Sequence, residues 1–171
     1  IRAHASVRPL KTVLLYNRNP AKAEPLAREL AGDGFKIEIA SDLESAMGKA
    51  DIISCATTST QPILRGHWLK PGTHVDLAGA FKPSMRETDG ETVAKARVYV
   101  DTREGAETEA GDLLQAEAEG KFRMENVQGD LFGLCRGETA GRRNREEITL
   151  FKSCGTALED LAAAVLISSR N

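Results

Sequence analysis

The feature that most constrains this chain is an alternation of strand-length apolar runs with segments of helical periodicity, joined by short connections. Val13-Leu14-Leu15-Tyr16 is the first apolar run of strand length. Asn19-Pro20 follows as a helix start, because Asn caps and Pro fits the first turn. Ala23, Leu26, Ala27 and Leu30 then keep the i, i+3, i+4, i+7 spacing of a helix with one buried face, which Gly32 and Gly34 end. Residues 35–40 alternate like a strand. Ser41 and Glu44 predict a capping box for a short helix carrying Leu43, Ala46 and Met47. Further strands are predicted at 52–56, 73–77 and 97–100. Such an order argues for an α/β fold of Rossmann type, a parallel sheet with helices on both faces.

The ends of the chain carry their own signals. Arg2 to Pro9 reads as the end of a helix stopped by proline, so the chain opens inside an element. Residues 103–145 read as less regular, and the basic cluster Arg142, Arg143 and Arg145 as a solvated loop. The chain closes on a helix capped by Thr156 and Glu159, with Leu158, Leu161, Ala162, Val165 and Leu166 along one face.

Composition narrows the partners. A net charge of −2 on 171 residues makes no case for nucleic acid or an anionic membrane surface. No apolar run approaches the roughly 20 residues of a membrane span, and no signal peptide is visible. The three cysteines are odd in number and far apart, and the three histidines lack ligand spacing, so neither a disulfide framework nor a metal site is expected. These readings fit a reduced, cytoplasmic protein.

In α/β sheets ligands bind outside the carboxyl ends of the strands. At the first such end stand Asn17, Arg18 and Asn19. In a dinucleotide-binding fold the residue that meets the adenosine ribose lies about 20 residues after the glycine-rich phosphate loop. Counting back from Asn17 lands upstream of Ile1, so the first strand and the glycine loop are expected to be missing from this chain. An acidic residue at this place would repel a ribose 2′-phosphate, whereas arginine forms charge-assisted bonds with it. NADP(H) is therefore expected in preference to NAD(H), with NAD(H) possible. The competing reading is that Asn19 only caps the helix and Arg18 points to solvent. Thr57 and Thr58 could offer hydroxyls to ribose or nicotinamide, or form an ordinary polar turn. Ala78 and Gly79 leave room for a flat ring to approach the backbone.

Several stretches together resemble the ornithine cyclodeaminase/mu-crystallin family: Tyr16-Asn17-Arg18-Asn19-Pro20, Cys55-Ala56-Thr57-Thr58, Gly66-His67-Trp68 through Lys70-Pro71-Gly72-Thr73-His74 to Ala78-Gly79-Ala80, Tyr99-Val100-Asp101, Glu109-Ala110-Gly111-Asp112, and Phe151 to Asp160. The resemblance implies a two-domain, usually homodimeric protein acting on a small imino or amino acid. The present chain, residues 1–171, would be most of its NAD(P)-binding Rossmann domain. The closing helix, 156–168, would return toward a substrate and dimerisation domain absent from this chain. The residues that hold the substrate carboxylate would lie upstream of Ile1, and the catalytic residues are expected there too. Ser153 and Gly155 would face the nicotinamide or the substrate carboxylate, where the helix end also offers free N–H groups to an anion.

One position sorts the branches that the resemblance brings in. Cyclodeaminases and the related alanine dehydrogenases place an aspartate two residues before a proline after the strand that matches 73–77. Here that position, before Lys82-Pro83, is Phe81. A phenylalanine can neither move a proton nor hold an amine. The run Gly79 to Glu87 resembles instead the ketimine reductases, which reduce Δ1-pyrroline-2-carboxylate and similar cyclic imino acids to the amino acid with NADPH. The alternatives are an ornithine cyclodeaminase, an alanine dehydrogenase-like enzyme, and a non-catalytic NADPH-binding protein like mu-crystallin. Phe81 could also merely pack against a neighbour.

Overall fold

The computed structural model describes residues 1–169 as two compact units, residues 1–47 and Gly48 onward. In the first, α1 (Arg2–Val7) precedes β1 (Thr12–Leu15). Asn19 caps a 3₁₀ turn at Pro20–Lys22 by accepting the Ala21 N–H, and α2 (Ala23–Leu30) continues from it. Of the four residues expected on one buried face of α2, Ala23 and Leu30 are buried, Ala27 is half-buried and Leu26 is exposed, so the buried stripe is narrower than the spacing suggests. Leu15, Phe35 and Met47 complete a small core. β2 (Lys36–Ile39) runs parallel to β1, with Thr12 opposite Lys36 and Leu15 opposite Ile39. α3 (Leu43–Lys49) starts one residue later than the Ser-x-x-Glu pattern suggests, with the Ala46 N–H bonded to the Asp42 carbonyl. Asp42 then holds the cap position, which aspartate suits as well as serine does.

The second unit is a five-stranded sheet in which every pairing is parallel. Its strands are β3 (Ile52–Cys55), β4 (His74–Leu77), β5 (Ala96–Val100), β6 (Gly129–Asp130) and β7 (Ile148–Lys152), in the spatial order β3-β4-β7-β5-β6. The last strand in sequence is therefore the middle one. The sequence reading does not assign β7, because Ile148 to Lys152 ends on a lysine and reads as half polar. The region 103–145 also proves more regular than expected. It holds α5 (Arg103–Glu109), α6 (Gly111–Ala118) and α7 (Leu131–Cys135), after α4 (Gly90–Lys95). These helices are of five to eight residues, too short for an apolar stripe to show. Side-chain caps start two of them: Thr102 accepts from Gly105 N–H, and Asp130 from Gly133 N–H.

Leu64, Val75, Leu77, Val93, Val98, Val100, Leu113 and Leu150 are completely buried and form the core on this sheet. The arginine cluster does lie in an exposed loop, before β7. It is tied down nonetheless: Arg142 donates to Thr149 Oγ1 at 2.9 Å and Arg143 to Glu147 Oε1 at 2.7 Å. α8 (Ala157–Ser168) begins with the expected capping box between Thr156 and Glu159. Its apolar residues Leu158, Leu161, Val165 and Leu166 are each more than half exposed. Among the described residues, no helix is long and apolar enough to cross a membrane.

Candidate functional site

The residues singled out from the sequence stand at carboxyl ends of strands, each within its own unit. In the first unit Asn17, Arg18 and Asn19 follow β1 and are exposed. Asn17 Oδ1 accepts the Asn19 N–H at 2.9 Å, and Asn19 Oδ1 accepts the Ala21 N–H at 3.2 Å. Both asparagines thus build the turn that ends the strand. Among the described residues, nothing bonds to or pairs with the Arg18 guanidinium. The turn fixes its Cα while its charge stays uncommitted.

In the second unit the loops after β3 and β4 are joined by one buried carboxylate. Glu87 is completely buried. Its Oε1 accepts the Thr57 N–H at 2.5 Å and its Oε2 accepts the Gly79 N–H at 2.8 Å. A Cβ on residue 79 would sit 2.3 Å from both the Glu87 carboxylate and the Thr57 carbonyl oxygen. Glycine is required at 79 by this inward contact, a reason distinct from the outward access read in the sequence. The Thr57 hydroxyl accepts the Ser59 N–H at 3.2 Å and serves the local turn. Thr58 and Ala78 are exposed.

Beneath this bridge lie two more buried charges. Asp112, at the start of α6, accepts the N–H groups of Glu87 and Thr88 through Oδ1 at 2.7 and 2.9 Å. Its Oδ2 is buried without a hydrogen bond and stands 3.6 Å from Lys152 Nζ. Burial pushes the Asp112 carboxyl above its usual range, against the opposing pull of the Thr88 N–H and Lys152. Lys152 ends the central strand in register with Leu77 and Val100, and no part of it is exposed. Its ammonium donates to the Gly79 carbonyl at 2.7 Å. Neither Glu87 nor Asp112 nor Lys152 has a role in the sequence reading. The available signal was Lys152 itself, a lysine closing an apolar strand, which is costly to bury unless paired.

A third carboxylate organises the end of β7. Asp101 Oδ2 accepts the Ser153 hydroxyl at 3.1 Å and the Cys154 and Gly155 N–H groups at 2.7 Å each. The Ser153 hydroxyl and Gly155 N–H, expected to face a ligand, are thus engaged by Asp101 in this structure. Gly155 has φ +88, which explains glycine there. Ser153 is not the helix cap, since Thr156 fills that place.

The loop after β4 carries a turn that side chains other than glycine rarely make. Ala80 is fully buried with φ +34, and its carbonyl accepts the Gly111 N–H at 3.1 Å. The next residue, Phe81, is 43% exposed, with Lys82 Nζ 5.8 Å from its ring centre. It is therefore not a core side chain.

Other reactive groups lie apart from these. Burial pushes the Cys55 thiol up to about 12 and the Cys154 thiol to about 11, so neither supplies a thiolate nucleophile at neutral pH. Ligand atoms of His67, Asp89 and Glu91 come within 4.8 Å of one another, a grouping the sequence spacing does not suggest. Asp89 Oδ1 is already engaged by the Gly66 and Thr92 N–H groups, and Lys95 pairs with Glu91.

The chain is 41% identical over 169 residues to the Δ1-pyrroline-2-carboxylate reductase of Paracoccus denitrificans, matching 98% of this chain and 54% of that protein. It is 39% identical over 159 residues to the ketimine reductase mu-crystallin of Rattus norvegicus, matching 92% of this chain and 46% of that protein. The chain thus spans about half the length of these relatives. Its fold superposes with a TM-score of 0.93, at 36% identity, on the Δ1-pyrroline-2-carboxylate reductase of Thermococcus litoralis in complex with NADH and L-proline. That match covers 96% of this chain and 51% of the other. The family model for ornithine cyclodeaminase/mu-crystallin matches residues 1–171, and the chain belongs to that family.

Proposed function

We propose that this chain is the larger part of the nicotinamide-cofactor domain of a reductase that converts a cyclic imino acid, such as Δ1-pyrroline-2-carboxylate, to the amino acid. The observation that carries this reading is Phe81. It is an open aromatic side chain at the place where the cyclodeaminase reading needs a carboxylate, and nothing titratable replaces it on the loop from Ala78 to Met85 except Lys82. Two relatives and a solved structure bearing reductase names support it.

In the first unit the uncommitted Arg18 guanidinium offers a charged contact of the kind a phosphate takes, and in the second unit the exposed Thr58 and Ala78 offer polar and flat surfaces of the kind a dinucleotide uses, so within each unit the residues fit such a cofactor. Arg18, with Asn17 and Asn19, would hold the adenosine end, the arginine favouring a 2′-phosphate and hence NADP(H) over NAD(H). Thr57, Thr58, Ala78 and Gly79 would form the wall for the other end. Ser153 and Gly155, fixed by Asp101, would stand at the substrate side with Phe81. When bound, the nicotinamide supplies a hydride. The chain's own part is to hold that wall rigid and to keep water from it with Phe81. The catalytic acid is proposed to come from the remainder of the protein, which we propose is a cytoplasmic homodimer.

The test uses the full-length protein. NADPH oxidation is expected on adding Δ1-pyrroline-2-carboxylate, with NADH used less well. Replacing Arg18 with alanine should raise the KM for NADPH about tenfold and leave that for NADH nearly unchanged, consistent with loss of a charge-assisted contact of about 1.4 kcal/mol. Ammonia release from ornithine without imine reduction would overturn the reading.

A further inference from the structure

Glu87 does more than join two loops. Each N–H it holds belongs to a trans peptide, since no cis bond occurs among the described residues. In a trans peptide the N–H and C=O point in opposite directions. With the Thr57 and Gly79 N–H groups aimed at the buried carboxylate, the carbonyls of Ala56 and Ala78 must point away from it. Both alanines are exposed, and among the described residues neither carbonyl accepts a hydrogen bond.

The two carbonyls are also neighbours. Cys55 and Leu77 are partners in the β3–β4 ladder, and the Ala78 N–H donates to the Cys55 carbonyl at 2.8 Å. Ala56 and Ala78 therefore follow side by side at the ends of adjacent strands. A parallel ladder continued by one residue would pair the Thr57 N–H with the Ala78 carbonyl. Glu87 takes that N–H instead and leaves the Ala78 carbonyl open. Lys152 sets the limit of the feature, because its ammonium holds the next carbonyl, that of Gly79, inward at 2.7 Å.

We propose that Glu87 is a positioning residue that turns the Ala56 and Ala78 carbonyls outward as a paired acceptor for the N–H groups of a primary carboxamide. A primary amide carries two N–H donors on one nitrogen, which two adjacent carbonyls can share. The proposal rests on the nicotinamide reading above and adds the atoms that recognise the carboxamide.

The experiment is calorimetric titration of the full-length protein with NADPH and with its 3-acetylpyridine analogue, in which a methyl group replaces the amide nitrogen. The unmodified protein should bind NADPH about tenfold more tightly than the analogue. In Glu87→Gln the side chain can accept only through one oxygen, and its own NH2 faces the second N–H. The preference should then fall to about twofold or less. Equal binding of the two dinucleotides by the unmodified protein overturns the proposal. So does an undiminished preference in Glu87→Gln of unchanged fold by circular dichroism. If that variant does not fold, the preference of the unmodified protein decides. Failure of either dinucleotide to bind overturns the nicotinamide reading, and this inference with it.

Discussion

The two units use polar groups in opposite ways. In residues 1–47 the polar contacts are short in sequence or exposed. Asn17 and Asn19 each bond a backbone group two residues on, and Arg2 pairs with Glu29 and Asp33 on the surface. In the second unit the decisive contacts are buried and distant in sequence. Thr57 and Glu87 are 30 residues apart, Gly79 and Lys152 are 73 apart, and Asp101 reaches Gly155 across 54. The difference teaches where rigidity is needed. On the function proposed above, an arginine that meets a phosphate could reach it from a simple turn, whereas backbone groups that must face a ring would need their peptides fixed from behind.

If that contrast is real, the largest effect of a single change should come from Lys152. Replacing it with methionine keeps the length but leaves Asp112 buried with no cation. Breaking a buried pair in this way costs about 3–5 kcal/mol. Equilibrium denaturation of the chain should show that loss, and a loss under 1 kcal/mol would break the comparison. The pH sense follows from Asp112. Its folded carboxyl already binds a proton more readily than the usual 3.8. The native state therefore holds more protons than the unfolded one above that value, and this group's contribution falls as pH rises. Without Lys152 the effect grows, so the loss should be larger near neutral pH than in mild acid.

A middle-sized effect tests the other unit. Leu30 is buried in the small core of residues 1–47. Leu30→Ala should cost about 2–3 kcal/mol. Hydrogen exchange should show amides of β1 and β2 losing protection while those of β5 and β7 keep theirs. Equal loss in both sets would mean that the two units open together and that the division is not an energetic one.

The same contrast decides what could be read from the sequence. The turn at Asn19-Pro20 and the Thr156–Glu159 box depend on residues within one or two turns of each other, and they stand as read, whereas of the face expected on α2 only Ala23 and Leu30 are buried and Leu26 is exposed. Strands β1 to β5 were legible for a like reason, since each is a local apolar run or a local alternation of apolar and polar residues. β7 was not, because its place in the middle of the sheet depends on partners some 50 and 75 residues away, Ala96 and His74 among them. Of the candidate site, the strand-end residues were legible from order alone. Glu87, Asp112 and Lys152 were not, because a charge in sequence reads as surface until its burial is seen. The donors of Ser153 and Gly155 were read as open for the same reason, since nothing local shows Asp101 reaching them.

The smallest effect separates burial from distance in sequence. Arg86 and Glu119 are 33 residues apart, like the buried pairs, and form a two-point contact, with Nη2 3.0 Å from Oε2. Here the arginine is covered but the Glu119 side chain is 43% exposed. The Arg86 hydrogen bond holds the Glu119 carboxyl below its usual 4.5. The unfolded chain therefore takes up this proton first, so the stabilisation is complete above 4.5 and is lost as pH falls through the folded value. Solvent screening keeps the gain small, so Glu119→Gln should lower stability at neutral pH by less than about 1 kcal/mol. The gap between the two proteins should close on acidification below 4.5, measured by denaturant titration at each pH. A loss as large as that of Lys152→Met would mean that span in sequence, not burial, sets the strength of these contacts.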